Sequence, residues 1–154
     1  MSLRHLLLPF VAVAALGCSA ADEPDRVVSD PECRNNAGQV IDCDLQLPAA
    51  GSFTLTLVGT SCDATNNVVR ITSPVNQVLL TDACNATIGQ TWVFDDQPAG
   101  ATVSLQIESD EVGQFPPGLR VTGAFPQWTA SFEDGFDEDF NDIVMRIDAT
   151  TTAN

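Results

Sequence analysis

Short segments in which apolar side chains recur at every second position constrain this chain more than any other feature. That period belongs to extended backbone, whose successive residues face opposite sides of a sheet. From Phe53 to Val58, Phe53, Leu55 and Leu57 share one face and Thr54 and Thr56 the other. From Thr102 to Glu108, Val103, Leu105 and Ile107 alternate with Ser104 and Gln106. The stretch from Ile143 to Asp148 sets Ile143, Met145 and Ile147 against Val144 and Arg146. Less regular candidates are Val68 to Thr72, Gln77 to Thr81, Thr91 to Phe94, Leu119 to Thr122 and Gln127 to Phe132. Gly, Pro, Asn and Asp separate these runs, and no long helical period follows residue 17. About eight strands of this kind predict an all-β fold, an antiparallel β-sandwich or jelly-roll-like domain over residues 32–149.

The N-terminus follows a different logic. Arg4 and His5 precede an apolar run from Leu6 to Leu16 that is too short to span a bilayer and ends in Gly17-Cys18-Ser19. This is the pattern of a bacterial secretory signal, assigned to residues 1–17. Ala15-Leu16-Gly17-Cys18 resembles the lipobox of bacterial lipoproteins, which implies that Cys18 is acylated and becomes the mature N-terminus. Ordinary cleavage after Ala20 or Ala21 is the alternative. Ser19 resembles the residue that follows the cysteine in lipoproteins sent to an outer membrane or cell surface. Residues 18–31 are small, polar, acidic and broken by proline, which suits a flexible tether. Residues 150–154 are expected to fray.

Five cysteines occur, and a lipid on Cys18 leaves Cys33, Cys43, Cys62 and Cys84. Four thiols in an exported chain are expected to form two bridges. Of the three pairings, the sequential one, Cys33 with Cys43 and Cys62 with Cys84, closes the shortest loops. Zinc is disfavoured, because the spacings are long and His5, the chain's one histidine, leaves with the signal. The chain has no lysine, so removing the signal leaves 21 acidic residues against five arginines, a net charge of −16. Nucleic acid and anionic lipid need basic surface, and neither is an expected partner. Contact with a membrane is expected only through the N-terminal lipid.

Acidic residues crowd most densely between Phe132 and Asp142. Carboxylates this close repel unless a cation sits among them. Calcium takes six to eight oxygens, best supplied by short acidic and amide side chains at alternate positions. Asp137, Asp139 and Asn141 have that spacing, with Glu138 and Phe140 turned away, and Glu133, Asp134 and Asp142 remain to complete a shell. An EF-hand is excluded, since its sixth position would be Asp142 instead of glycine and its flanks are strands. The alternative without metal is a solvated loop of turns in which Asp and Asn side chains bond nearby amides.

Phe132-Glu133-Asp134, the gap Gly135-Phe136, and Asp137-Glu138-Asp139-Phe140-Asn141-Asp142-Ile143-Val144 resemble the signature of a bacterial extracellular domain-of-unknown-function family. The likeness covers Trp128 to Ile147, and this chain departs in a shorter, Gly-poor gap. It implies a β-sandwich on a secreted or surface protein, beside adhesin-type modules. It also implies calcium held by Glu133, Asp134, Asp137, Asp139, Asn141 and Asp142.

Trp92 and Trp128 each lie in a candidate strand, where packing in the core is the expected role and stacking on a sugar the alternative. Asp95-Asp96 mark a turn or extend the cation site. Without lysine or tyrosine, and with the cysteines oxidised, the usual bases and nucleophiles are missing, so no catalysis is expected. These observations predict an exported, lipid-anchored, calcium-binding β-sandwich with a structural or adhesive role at the cell envelope, its partner an unknown extracellular protein or glycan. The alternative is a carbohydrate- or ligand-binding surface module using Trp92 or Trp128, and a carboxylate-based hydrolase is a third possibility.

Overall fold

A computed structural model describes residues 45–152 except 110, 112 and 116, together with the backbone of 27–28 and 31–33. The expected signal peptide, Cys18, Cys43, most of the expected tether, residues 153–154 and the side chain of Cys33 lie outside the described residues. Ten strands follow in chain order: β1 (Val27–Val28), β2 (Pro31–Cys33), β3 (Gly51–Thr60), β4 (Val68–Ser73), β5 (Gln77–Leu80), β6 (Thr91–Gln97), β7 (Ser104–Ser109), β8 (Gly118–Ala124), β9 (Gln127–Glu133) and β10 (Ile143–Thr151).

The eight expected strands are β3 to β10, and their alternation is the one read from sequence. Phe53, Leu55 and Leu57 of β3 are buried while Thr54 and Thr56 are half-buried. Ile143, Met145, Ile147 and Ala149 of β10 are buried, with Arg146 exposed between them. Two findings correct the ends. β1 and the start of β2 pair with the domain from within the segment expected to be a tether, β1 against β7 and β2 against β8. At the other end β10 runs on through Thr150 and Thr151, opposite Ser52 and Gly51, so paired backbone reaches into the expected tail.

The strands form a four-stranded sheet in the order β1-β7-β4-β5 and a six-stranded sheet in the order β2-β8-β9-β10-β3-β6. Among the described residues every strand pairing is antiparallel except β2 with β8. The inner faces close on one core. Phe53, Leu55, Leu57, Leu119, Val121, Trp128, Phe132, Ile143 and Met145 of the larger sheet belong to the same cluster as Val69, Ile71, Leu105 and Ile107 of the smaller one. Each such side chain contributes about 1.5–3 kcal/mol by leaving water.

The registers fix which loops meet. β3 ends where β10 begins, with Thr60 opposite Ile143, and β8 begins where β9 ends, with Gly118 opposite Glu133. Loops 61–67, 81–90 and 134–142 and the described residues between β7 and β8 therefore share one pole of the sandwich. The first two cross between the sheets, and the Cys62–Cys84 disulfide, with Cα atoms 5.5 Å apart, staples one to the other. A bridge closing a loop of this length adds about 3 kcal/mol on a chain-entropy estimate.

Candidate metal centre

The acidic residues occupy the connection between β9 and β10 at the stapled pole. Glu133, at the end of β9, is only 1% exposed and works as an internal scaffold for the loop. Its Oε1 accepts hydrogen bonds from the amides of Gly135 (2.8 Å) and Phe136 (3.1 Å), and its Oε2 accepts one from Phe140 (3.1 Å). The next turns close through short side chains: Asp137 Oδ1 accepts from the amide of Asp139, and Asp139 Oδ1 from that of Asn141. The Asn141 side-chain amide also bonds Asp139 Oδ2. Asx turns are thus present, and no ion pair among the described residues offsets the charges of these acids.

Asp134 and Asp142 lie deeper, 0% and 2% exposed. The amide of Asp134 donates to Asp142 Oδ2 at 2.7 Å, and the carbonyl of Asp142 accepts from the amide of Ser61. Asp134 Oδ2 accepts from the amides of Asp63 (3.1 Å) and Ala64 (2.8 Å) and from Asn67 Nδ2 (3.1 Å). Its other oxygen, Oδ1, is buried without a partner. Burial pushes the Asp142 carboxyl up to about 7, and the charges of Asp134 and Glu133 add to this, opposed by the hydrogen bond from the Asp134 amide. Among the described residues the ion pairs are Arg70–Glu108 and Arg146–Asp148, neither of which involves this cluster.

Five of the six predicted ligand residues fall into two groups. Carboxylate oxygens of Glu133, Asp137 and Asp139 lie within 4.8 Å of one another, and so do those of Asp134 and Asp142 with the sulfur of Cys62. A disulfide sulfur carries no charge and is a poor ligand for a hard cation, so the second group is in effect a pair of acids. Asn141 belongs to neither group and is exposed, as are Asp137 and Asp139. Among the described residues the buried acids Glu133, Asp134 and Asp142 form no ion pair, Asp134 Oδ1 lacks a donor, and the carboxylate oxygens of Glu133, Asp137 and Asp139 form an all-oxygen group of the kind that can hold a hard divalent cation.

Two contacts hold the loop's outer edge. The Phe140 ring packs over Gly118, where a side chain would meet it at 3.0 Å, and the Arg120 guanidinium stacks on the ring at 3.5 Å from its centre. Gly135 adopts φ +101°, and a Cβ there would stand 2.4 Å from the Phe115 carbonyl, whose own amide bonds the Gly135 carbonyl at 2.8 Å. The proline-containing loop after Gly113 thus packs on the acidic loop backbone to backbone. Gly135→Ala should cost about 2 kcal/mol or more from its backbone conformation and the forced displacement together, read as a lower midpoint in urea unfolding.

Other residues singled out in the sequence lie away from this pole or inside. Trp128 is 5% exposed and meets Phe125 edge to face, so its ring offers no platform for a sugar. Trp92 is half-buried and packs against the core. Asp95 and Asp96 are exposed on β6 at the opposite end of the sandwich, in a cleft of about 550 Å³ shared with Ser52 and Thr150, and do not extend the acidic loop. Sequence reasoning missed Asn67, Asp63 and Ala64, the donors to Asp134. The cysteine beside them at position 62 was the one signal that this crossover mattered.

No family model and no curated protein sequence matches the chain. Among solved structures, a Ralstonia solanacearum high-affinity mannose-binding lectin aligns with a TM-score of 0.48 at 18% identity, over 70% of this chain and 95% of the lectin. The Chromobacterium violaceum lectin CV2L, solved with alpha-methyl-fucoside, aligns with a TM-score of 0.46 at 21% identity over the same shares.

Proposed function

We propose that this chain is an exported, non-catalytic β-sandwich that binds calcium through its 133–142 loop and uses that loop to engage a saccharide at the cell envelope, with Cys18 as its lipid anchor. The observation that carries it is the burial of Glu133, Asp134 and Asp142 close together, none of them in an ion pair among the described residues. Burying one uncompensated carboxylate costs several kcal/mol, and three together are tolerated when a cation or a proton replaces the missing charge. Glu133, Asp137 and Asp139 would hold the ion, with Asn141, Asp142 and the unpartnered Oδ1 of Asp134 adjoining. Calcium bound there would offer its remaining coordination positions to hydroxyl oxygens of a ligand.

The loop's own residues favour a ligand-binding role over a purely internal one. Asp137, Asp139 and Asn141 are exposed while Glu133, Asp134 and Asp142 are not. The outer acceptors are exposed on a loop whose Gly135, Phe136 and Phe140 amides bond Glu133 beneath, and can take hydrogen bonds from neighbouring hydroxyls of a sugar ring. Catalysis fits poorly. Asp142 carries the raised pKa a general acid needs, but it is closed over by the loop and cannot reach a glycosidic oxygen.

A glycan array run in calcium and again in chelator, with thermal unfolding alongside, tests this function. The expected result is calcium-dependent glycan capture that Asp139→Asn abolishes while Trp128 remains in place. Calcium-independent capture, or calcium stabilisation without any captured glycan, would contradict the ligand-binding role.

A further inference from the structure

The crossover from β3 to β4 does more than join two sheets. Between Ser61 and Asn67 it presents two amides and one side-chain amide to a single oxygen, Asp134 Oδ2, and the Ser61 amide to the carbonyl of Asp142. Three points hold it in place. The Cys62–Cys84 disulfide ties it to the crossover from β5 to β6. The Asn67 carbonyl accepts from the Ala83 amide at 2.9 Å, one residue from Cys84, and Asn67 Nδ2 lies 3.3 Å from Cys84 Sγ. At Thr65, Glu111 accepts from the amide at 2.9 Å and from the hydroxyl.

We propose that the Cys62–Cys84 disulfide and Asn67 form the positioning device of the cation site, so that calcium affinity depends on the oxidised state of this one bridge. The inference rests on the calcium-binding function proposed above. Asn67 is 0% exposed and spends one amide group on both the disulfide sulfur and Asp134. Its Oδ1 makes no hydrogen bond, so the residue's polar work is donation to the acid. Reducing the bridge frees the 61–67 crossover from the 81–90 segment and withdraws the donors that fix Asp134. Asp134 in turn positions Asp142 through its own amide, and both acids then lose the arrangement that meets the ion. Groups that orient ligands from behind typically change metal affinity 10–100-fold when removed. An exported chain acquires the bridge only after leaving the reducing cytoplasm, so the site would mature where calcium is plentiful.

Calorimetric calcium titration of the full oxidised chain, the dithiothreitol-reduced chain, and the Asn67→Ala and Asn67→Asp variants tests the device. Asn67→Asp keeps the shape and removes the donor. A 10–100-fold weakening in all three, with unchanged stoichiometry and an intact far-UV spectrum, is expected. Affinities within twofold of the oxidised wild type would overturn it. A second readout needs no metal: in chelator, hydrogen exchange at the Asp134 and Ser61 amides should quicken at least tenfold on reduction or in Asn67→Asp, and unchanged exchange overturns the anchoring role. Should the oxidised wild type bind no calcium, the proposed function falls and the affinity claim with it, while the exchange rates still judge the anchor on their own.

Discussion

Replacing Glu133 by alanine should destabilise the chain by about 3 kcal/mol or more when unfolding is followed in urea at pH 5.5 with chelator present. Three amides, those of Gly135, Phe136 and Phe140, lose their acceptor together, and each buried donor left unpaired costs about 1–3 kcal/mol. The acidity of the measurement matters. Asp142 is held protonated well above the usual carboxylate range, so at pH 5.5 little repulsion from Glu133 remains to be relieved, and the lost hydrogen bonds stand alone. Glu133→Gln keeps one carbonyl oxygen as acceptor and should lie between wild type and alanine. A Glu133→Ala protein as stable as wild type would show that the loop is organised by something other than this carboxylate.

The second large effect is a dependence on pH that calcium inverts. Asp142 has a folded pKa of about 7 against an ordinary value of 3.8, so between roughly pH 4 and pH 7 the folded chain binds a proton that the unfolded chain has released. Stability in chelator is therefore greatest below pH 4 as far as this group is concerned. It falls as pH rises towards 7, with a slope of at most about 1.4 kcal/mol per pH unit for one proton. A cation demands the ionised acid, so its affinity should climb over the same range and binding should release a proton. At pH 7.5, calcium at a hundred times its dissociation constant adds about 2.7 kcal/mol, near 10 °C for a domain of this size. Urea midpoints collected every half pH unit, in chelator and in calcium, should diverge from pH 5 upward. Parallel curves would remove Asp142 from the account.

How legible this molecule is in its sequence depends on the range of the forces involved. β3, β7 and β10 are readable because a half-buried strand must alternate, and the apolar residues that the pattern put on one face of each are buried. β1 and β2 are two and three residues long and carry no such pattern, since what holds them is backbone pairing to strands about eighty residues further on. Thr150 and Thr151 were expected to fray for the same reason: nothing apolar marks them, yet Ser52 and Gly51 lie opposite. The acidic loop announced itself by spacing alone. Its division into exposed acids and a buried pair did not, because Asp134 is held inside by Asp63, Ala64 and Asn67, some seventy positions away. Trp128 shows the converse, a residue whose chemistry invited a role on the surface and whose strand position placed it in the core.

Calorimetric titration of the oxidised chain with calcium at pH 7.5, wild type beside Asp139→Asn, addresses most directly whether oxygens of the 133–142 loop converge on a metal. The account predicts saturable binding by the wild type and a loss of at least tenfold in affinity for the variant, whose fold is unchanged. No binding at millimolar calcium, or equal affinity in the two proteins, would contradict it.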